Sequence, residues 1–191
     1  MYNISGMDAR HVGIELDIAQ EISRKLELNA AISLGDWRWN SAGTAEVFNE
    51  NNEQLPSVTF NAKGVHVGGS AQNQFMFGLR YEPIKGLYIR PTYLLFAKNY
   101  ANFEPDNLKQ DRPQDSFRLP TSRNLDIHSG YSFQVYKDYK LTVNASVLNV
   151  LNEFYIQDAR PGINGDQFDP NDIEVFFNRG RTYTAGVSIS F

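Results

Sequence analysis

The apolar positions of this chain recur with a period of two. The pattern is clearest at the end of the sequence. There Tyr183, Ala185, Val187, Ile189 and Phe191 alternate with Thr182, Thr184, Gly186, Ser188 and Ser190. Such alternation predicts a strand with one apolar face and one polar face. Six earlier segments repeat it. The first runs from about Arg10 to Ile18, with Val12, Ile14, Leu16 and Ile18 against His11, Gly13, Glu15 and Asp17. The second opens at Leu26, sets Leu28, Ala30, Ile32 and Leu34 against Glu27, Asn29, Ala31 and Ser33, and continues through Trp37 and Trp39. The third sets Phe75, Phe77, Leu79 and Tyr81 against Gln74, Met76, Gly78 and Arg80. In the fourth, Leu87, Ile89, Pro91, Tyr93 and Leu95 oppose Tyr88, Arg90 and Thr92. Pro91 is its weak point, because proline brings no N–H to a ladder. The fifth places Leu125, Ile127, Tyr131, Phe133 and Val135 against Asp126, His128, Gly130, Ser132 and Gln134. The sixth places Leu141, Val143, Ala145 and Val147 against Thr142, Asn144 and Ser146. The chain therefore reads as all-β, with about seven antiparallel strands.

The connections sharpen this. Residues 19–25, 82–86 and 136–140 are short links, whereas 40–70, 100–122 and 152–178 are long and rich in Asn, Asp, Gly and Pro. Short and long alternate strictly, which puts every long loop on one end of an up-and-down meander. Structureless loops beyond about 12–15 residues are uncommon in compact soluble domains. Outer-membrane barrels have short periplasmic turns and long extracellular loops. With the long loops outside, the first and last strands both run inward, and Phe191 falls at the periplasmic rim.

Seven strands do not close a bacterial barrel, which uses an even number with a minimum of about eight. In hydrocarbon each unpaired backbone group costs several kcal/mol, so an open sheet cannot span alone. An eighth strand within residues 46–67 spoils the parity of the two ends. The expectation is a segment of a larger transmembrane β-barrel. The opening residues, MYNISGMDAR, show no basic region followed by an apolar stretch, so no signal peptide is visible.

Composition changes the picture little. The chain is 41% hydrophobic with no run near the roughly 20 apolar residues of a spanning helix. Barrel strands are apolar only at alternate residues, so this does not exclude them. The aromatic share of 13% suits rings at two membrane interfaces and suits an ordinary soluble β domain equally. Cysteine is absent, which removes disulfides, thiol catalysis and Cys-based zinc sites. The net charge of −4 and the lack of a basic cluster argue against nucleic acid as a partner.

Candidate chemistry is sparse. His11, His66 and His128 are too scattered for a metal site by spacing. Asp166, Asp169, Asp172 and Glu174 lack the ordered alternation and central Gly of a calcium loop and read as a solvated acidic loop. Gly64 to Gly69 lacks the Lys-Ser/Thr pair of a phosphate cradle and reads as a flexible loop. Glu15 and Asp17 share a strand face, with polar lining as the better explanation than an acid–base pair. No Ser/His/Asp constellation has recognisable flanking structure. Neither an enzyme nor a cofactor is expected. Trp37 and Trp39 share a face near the loop end of their strand. They are either a stacking platform for a sugar or aromatic ligand, or interface and packing aromatics, the more usual role.

Three segments resemble the C-terminal barrel region of TonB-dependent outer-membrane receptors. Asn149-Val150-Leu151-Asn152-Glu153-Phe154-Tyr155 is similar to the family's N-L-F-N-x-x-Y segment, with Leu151 where the family has Phe. Arg179-Gly180-Arg181-Thr182-Tyr183 is similar to the G-R-x-Y/F entry to the last strand, and Ala185 to Phe191 is similar to that strand itself. Ser5 to Arg10 with Gly13 and Glu15, and Gly35 to Trp39, resemble receptors of the Bacteroidetes type.

The resemblance implies the C-terminal third of a barrel of roughly 22 strands, closed around a plug that is not seen here. It implies active uptake of a small nutrient ligand, powered by TonB through the plug. The implied partners are outer-membrane lipid, the barrel-assembly machinery and a surface lipoprotein. Tyr183, Ala185, Val187, Ile189 and Phe191 take the place of the family's C-terminal assembly signal. Two other classes stay open. One is a self-contained small barrel in adhesion or envelope structure. The other is a soluble β-sandwich that binds carbohydrate.

Overall fold

The computed structural model describes residues 2–109, 115–161 and 173–191. Its strands, in chain order, are β1 (Tyr2–Ile4), β2 (Ala9–Ser23), β3 (Leu26–Trp39), β4 (Ala42–Phe48), β5 (Gln54–Asn61), β6 (Asn73–Tyr81) and β7 (Leu87–Ala97). They continue with β8 (Asn99–Tyr100), β9 (Arg118–Leu119), β10 (Ser122–Tyr136), β11 (Tyr139–Leu148), β12 (Ile156–Pro161), β13 (Ile173–Phe177) and β14 (Thr182–Ser190). A short 3-10 turn, Pro105–Leu108, is the helical element among the described residues.

Seven of these strands form one antiparallel meander in the order β14-β11-β10-β7-β6-β3-β2. They are the seven segments that the alternation predicts. The sheet is not closed, and β2 and β14 are its two edges. Its register brings like faces together. Leu16 pairs with Ile32, Ile32 with Phe75, and Phe75 with Leu95. Tyr131 pairs with Val143, and Val143 with Val187. One continuous apolar face results, with the polar residues on the other. A one-residue slip of any strand would turn its apolar set over, so the pattern itself fixes the register.

Some boundaries differ from expectation. β2 runs to Ser23, so the link to β3 shrinks to Arg24 and Lys25. The alternation weakens beyond Ile18, but the backbone pairing continues to Ser23↔Leu26. Pro91 sits inside β7 rather than at its edge. Pairing with β10 continues through Ile127↔Pro91, while pairing with β6 passes from Gly78↔Thr92 directly to Tyr81↔Ile89. The ladder thus lapses beside the residue that has no N–H to give.

The described parts of the long loops hold paired strands. Residues 46–67 do contain strand, but β4 and β5 join β1 in a separate three-stranded sheet, so the main sheet keeps its seven strands. β8 pairs with β9, and β12 with β13. The expectation of a flexible loop at Gly64 to Gly69 is overturned. Val65 and His66 are buried. The Trp39 N–H donates to the Val65 carbonyl at 2.9 Å and the Val67 N–H to the Trp37 carbonyl at 3.0 Å, so this segment lies along the end of β3. The glycines flank a Val-His-Val core whose β-branched side chains suit extended pairing.

The buried apolar side chains among the described residues are Ala45, Phe60, Ala62, Val65, Ala71, Tyr100, Ala101, Leu108, Leu119 and Ala159. All lie outside the seven-stranded sheet. One cluster joins Ala45, Phe60, Ala62, Val65 and Leu108, with Tyr2, Ile4, Met7, Trp39 and Phe103 packed on it. A second joins Ala101, Leu119 and Ala159, with Phe117, Ile156, Ile173 and Val175 around it. Among the described residues the loops therefore make a cap with its own cores, and the main sheet has no buried apolar core on either face.

Candidate functional site

The apolar face is uncovered. Ile14 is 73% exposed, Val187 69% and Phe191 92%. Burying such side chains is normally worth about 1.5–3 kcal/mol each, so a sheet in water would not leave so many bare. Aromatic rings stand at both ends of this face. Tyr183 opposes Val147 near the loop end, while Phe191 lies 6.2 Å from Tyr139 at the turn end. The five residues of the expected assembly signal hold one face: Tyr183, Ala185, Val187 and Ile189 pair with Val147, Ala145, Val143 and Leu141, and Phe191 follows β14.

The opposite face is polar but not uniform. β2 and β3 contribute Glu15, Asp17, Glu21 and Glu27, and β6 and β7 contribute Arg80 and Arg90. Between them lies an apolar island, where Met76 pairs with Leu94 and Phe96 sits opposite Gln74. β10, β11 and β14 present mainly hydroxyls and amides. His128 Nδ1 lies 2.9 Å from Ser146 Oγ, and Ser132 Oγ lies 2.8 Å from Thr142 Oγ1. At the turn end the Arg80 guanidinium covers the Tyr88 ring at 4.3 Å and pairs with Glu82 at 2.6 Å.

Trp37 and Trp39 both project from the polar face of β3, yet their surroundings differ. Trp37 opposes His11, and the two rings stack at 5.3 Å. The indole lies across Gly35, where a Cβ would come within 2.7 Å of Trp37 Nε1. Glycine at this position is what lets the ring lie flat on the wall. Trp39 turns into the cap and meets Phe103 edge-on at 5.7 Å. Of the pair, Trp37 keeps a ring beside the polar face, and Trp39 is packing for the loops.

The cap is tied to β3 by a group that spacing does not reveal. His66 is 8% exposed, and its backbone pairs with that of Arg38 in an isolated antiparallel β-bridge. Its Nδ1 lies 2.6 Å from Asp115 Oδ2, and its Nε2 lies 3.6 Å from Asp36 Oδ1. Its ring stacks on Tyr100 at 4.0 Å with the planes 5° apart. Asp115 also accepts the His66 and Ser116 N–H groups, each at 2.9 Å. The Ser116 hydroxyl donates to the His66 carbonyl rather than to the ring, so this is no nucleophile and base. The sequence holds a weak hint in the Val-His-Val alternation and none of Asp115.

A second tie joins the first strand to the middle loop. The Tyr2 hydroxyl donates to Asp106, which also pairs with Lys109. Burial acts to raise the Asp106 pKa, but the hydrogen bonds from Lys109 and Tyr2 outweigh it and hold this carboxyl below its ordinary value. Burial, and then Asp106, push the Tyr2 hydroxyl above the usual tyrosine range. Burial also raises the neighbouring Glu104 carboxyl, against the pull of Arg160.

Among the described residues no group of three His, Asp or Glu could hold a metal ion. Asp166, Asp169 and Asp172 lie outside the described residues, and Glu174 pairs with Arg160 across β12 and β13.

No family model matches the sequence, and no curated protein matches it. Among solved structures the chain is similar to the siderophore receptor PiuA from Acinetobacter baumannii, with a TM-score of 0.59 and 14% identity. The match covers 95% of this chain and 22% of the receptor, so the chain spans about a fifth of that protein's length. The likeness is one of fold alone, and the open seven-stranded sheet matches part of a β-barrel.

Proposed function

We propose that this chain is wall and outer loops of a TonB-dependent outer-membrane receptor that takes up a small nutrient. The observation that carries the reading is the two-faced sheet without a core. Its apolar face suits lipid, its polar face suits the lumen of a barrel, and its open edges suit neighbouring strands of the same barrel. β14 has 9 residues, within the roughly 9–11 that a tilted strand needs to cross the hydrocarbon. A soluble sandwich would bury one face of the sheet under another layer.

In this reading β2 and β14 pair with strands of a barrel of about 22, and a plug fills the lumen. The polar face lines that lumen, the cap meets the ligand from outside, and Tyr183 to Phe191 guide assembly. TonB acts through the plug, and a surface lipoprotein sits over the cap. The work is transport, with no bond made or broken by these side chains. Siderophore, cobalamin, glycan and peptide are equal choices of ligand.

The test is made on the complete gene product. The receptor is expected in the outer-membrane fraction, extracted only by detergent, and its deletion is expected to abolish TonB-dependent import of one nutrient. A monomeric, cooperatively melting protein in the soluble fraction contradicts the reading.

A further inference from the structure

The link between β11 and β14 is closed below its loop by three asparagines. Asn149 takes the left-handed conformation, with φ of 52°, which Asn tolerates better than most residues. Its side chain spans the turn that follows. Oδ1 accepts the Glu153 N–H at 3.0 Å, and Nδ2 donates to the Glu153 carbonyl at 2.9 Å. Its own N–H donates to Asp126 Oδ1 at 2.8 Å, and the Val150 N–H donates to the Leu125 carbonyl at 2.7 Å, so the turn is pinned to β10 as well.

Asn152, also left-handed with φ of 53°, reaches the other limb. Its Oδ1 accepts the Arg181 N–H at 3.1 Å, at the entrance to β14. Gly180 lies beside it with φ of 70°, where a Cβ would press on Asn152 Oδ1 and the Phe154 ring at 3.4 Å. Asn178 completes the set. Its Oδ1 accepts the Tyr155 N–H, its Nδ2 donates to the Glu153 carbonyl and its N–H donates to the Tyr155 carbonyl, each at 3.1 Å. Arg123 holds Glu153 from β10 at 2.6 Å.

These bonds lie below the first β12–β13 pair, Ile156↔Phe177, and above the last β11–β14 pair, Leu148↔Thr182. The bonds of the clip are therefore complete before the loop begins. Asn149 is 4% exposed and its polar groups are satisfied within the turn and β10.

We propose that this asparagine clip sets the register of the final hairpin, independently of the loop beyond Tyr155 and Asn178. If the receptor reading holds, the wall keeps its register whatever sequence the ligand-facing loop carries.

The experiment uses the full-length receptor in three forms. In the first, an Asn-Gly turn replaces residues 156–177, since a two-residue type I′ turn is closed by a bond such as the one the Asn178 N–H makes to the Tyr155 carbonyl. The second carries Asn152→Gly with Asn178→Gly, which keeps left-handed backbone accessible at 152 and removes the side-chain bonds. The third combines both changes.

Folded receptor is measured by heat-modifiable mobility after extraction in detergent. The excised form uncovers Ala101 and Leu119 in the cap and is expected to lose less than the clip variant. The clip variant gives up three side-chain hydrogen bonds and is expected to lose at least about fivefold in folded yield, the scale of one such bond, and the combined form to lose no less. Two results would overturn the proposal. One is an excised form as impaired as the clip variant. The other is a clip variant that folds like the wild type. A wild type found outside the outer membrane counts against the receptor reading alone, because the three forms are still compared with it in detergent.

Discussion

The His66 imidazole stands 2.6 Å from a carboxylate oxygen of Asp115, 49 residues further along the chain. That contact fastens the loop after β8 to the strand-like segment beside β3. Asp115 also takes the N–H groups of His66 and Ser116. Asp115→Ala leaves all three donors without their acceptor, at a cost of about 1–3 kcal/mol. Amide exchange at His66 and Ser116 is expected to accelerate while exchange in β11 is unchanged. Equal protection in the variant would show that the contact holds nothing.

The Asp106 tie gives the cap a signed response to pH. Its folded pKa is depressed, so its contribution is present above the unfolded value of about 3.9 and is lost as pH falls through the folded value. Glu104 has the opposite sign. Its folded pKa is raised, chiefly by burial, so its contribution is present at low pH and is lost as pH rises through the folded value. Thermal unfolding of the protein from acid to neutral pH separates the two. Asp106→Asn is expected to destabilise by about 1 kcal/mol at neutral pH and by less in acid. Glu104→Gln is expected to stabilise at neutral pH and to matter less in acid. A pH-independent effect of both variants contradicts this.

Gly35→Ala tests the aromatic plate on the polar face. The new methyl meets Trp37 Nε1 at 2.7 Å and the Gln72 carbonyl oxygen at 3.1 Å, so the indole must lift from the wall. Overpacking of this kind costs about 1–3 kcal/mol. Indole fluorescence is expected to shift to the red as Trp37 leaves His11. Ala at Ser33, two residues away on the same face, serves as the control. No change at Gly35 would mean that the ring does not need the glycine.

Much of the main sheet was legible because alternation is a local property. Leu141 to Val147 and Tyr183 to Phe191 state their faces residue by residue, and the pairing merely joins them. The cap was not legible, for a physical reason. Ala45, Phe60 and Leu108 come from segments without sustained period, broken by Pro56 in β5 and by the turn at Pro105. Its ties, His66 to Asp115 and Tyr2 to Asp106, join residues 49 and 104 apart. Trp39 shows both limits. Alternation assigned its face, but the strand's own sequence says nothing of Phe103, the ring that meets it.

A charge on the apolar face separates a lipid-facing wall from a soluble one. Val187 pairs with Val143 in the middle of β14. Val187→Lys is expected to cost about 2–4 kcal/mol if that position faces the bilayer midplane. Ser188→Lys, on the opposite face, is expected to cost far less. Equilibrium unfolding from lipid vesicles measures both. Equal costs on the two faces would remove the distinction between them.

The most direct measurement places single spin labels on the two faces of the assembled protein in lipid vesicles. This chain has no cysteine of its own, so labels at Val143 and Val187, and at Thr142 and Ser188, can be placed by substitution. Labels at 143 and 187 are expected to collide with oxygen dissolved in the bilayer and to be shielded from a water-soluble nickel chelate. Labels at 142 and 188 are expected to be shielded from the bilayer oxygen. Chelate access at 143 and 187 equal to that of a label on the cap would contradict a lipid-facing wall.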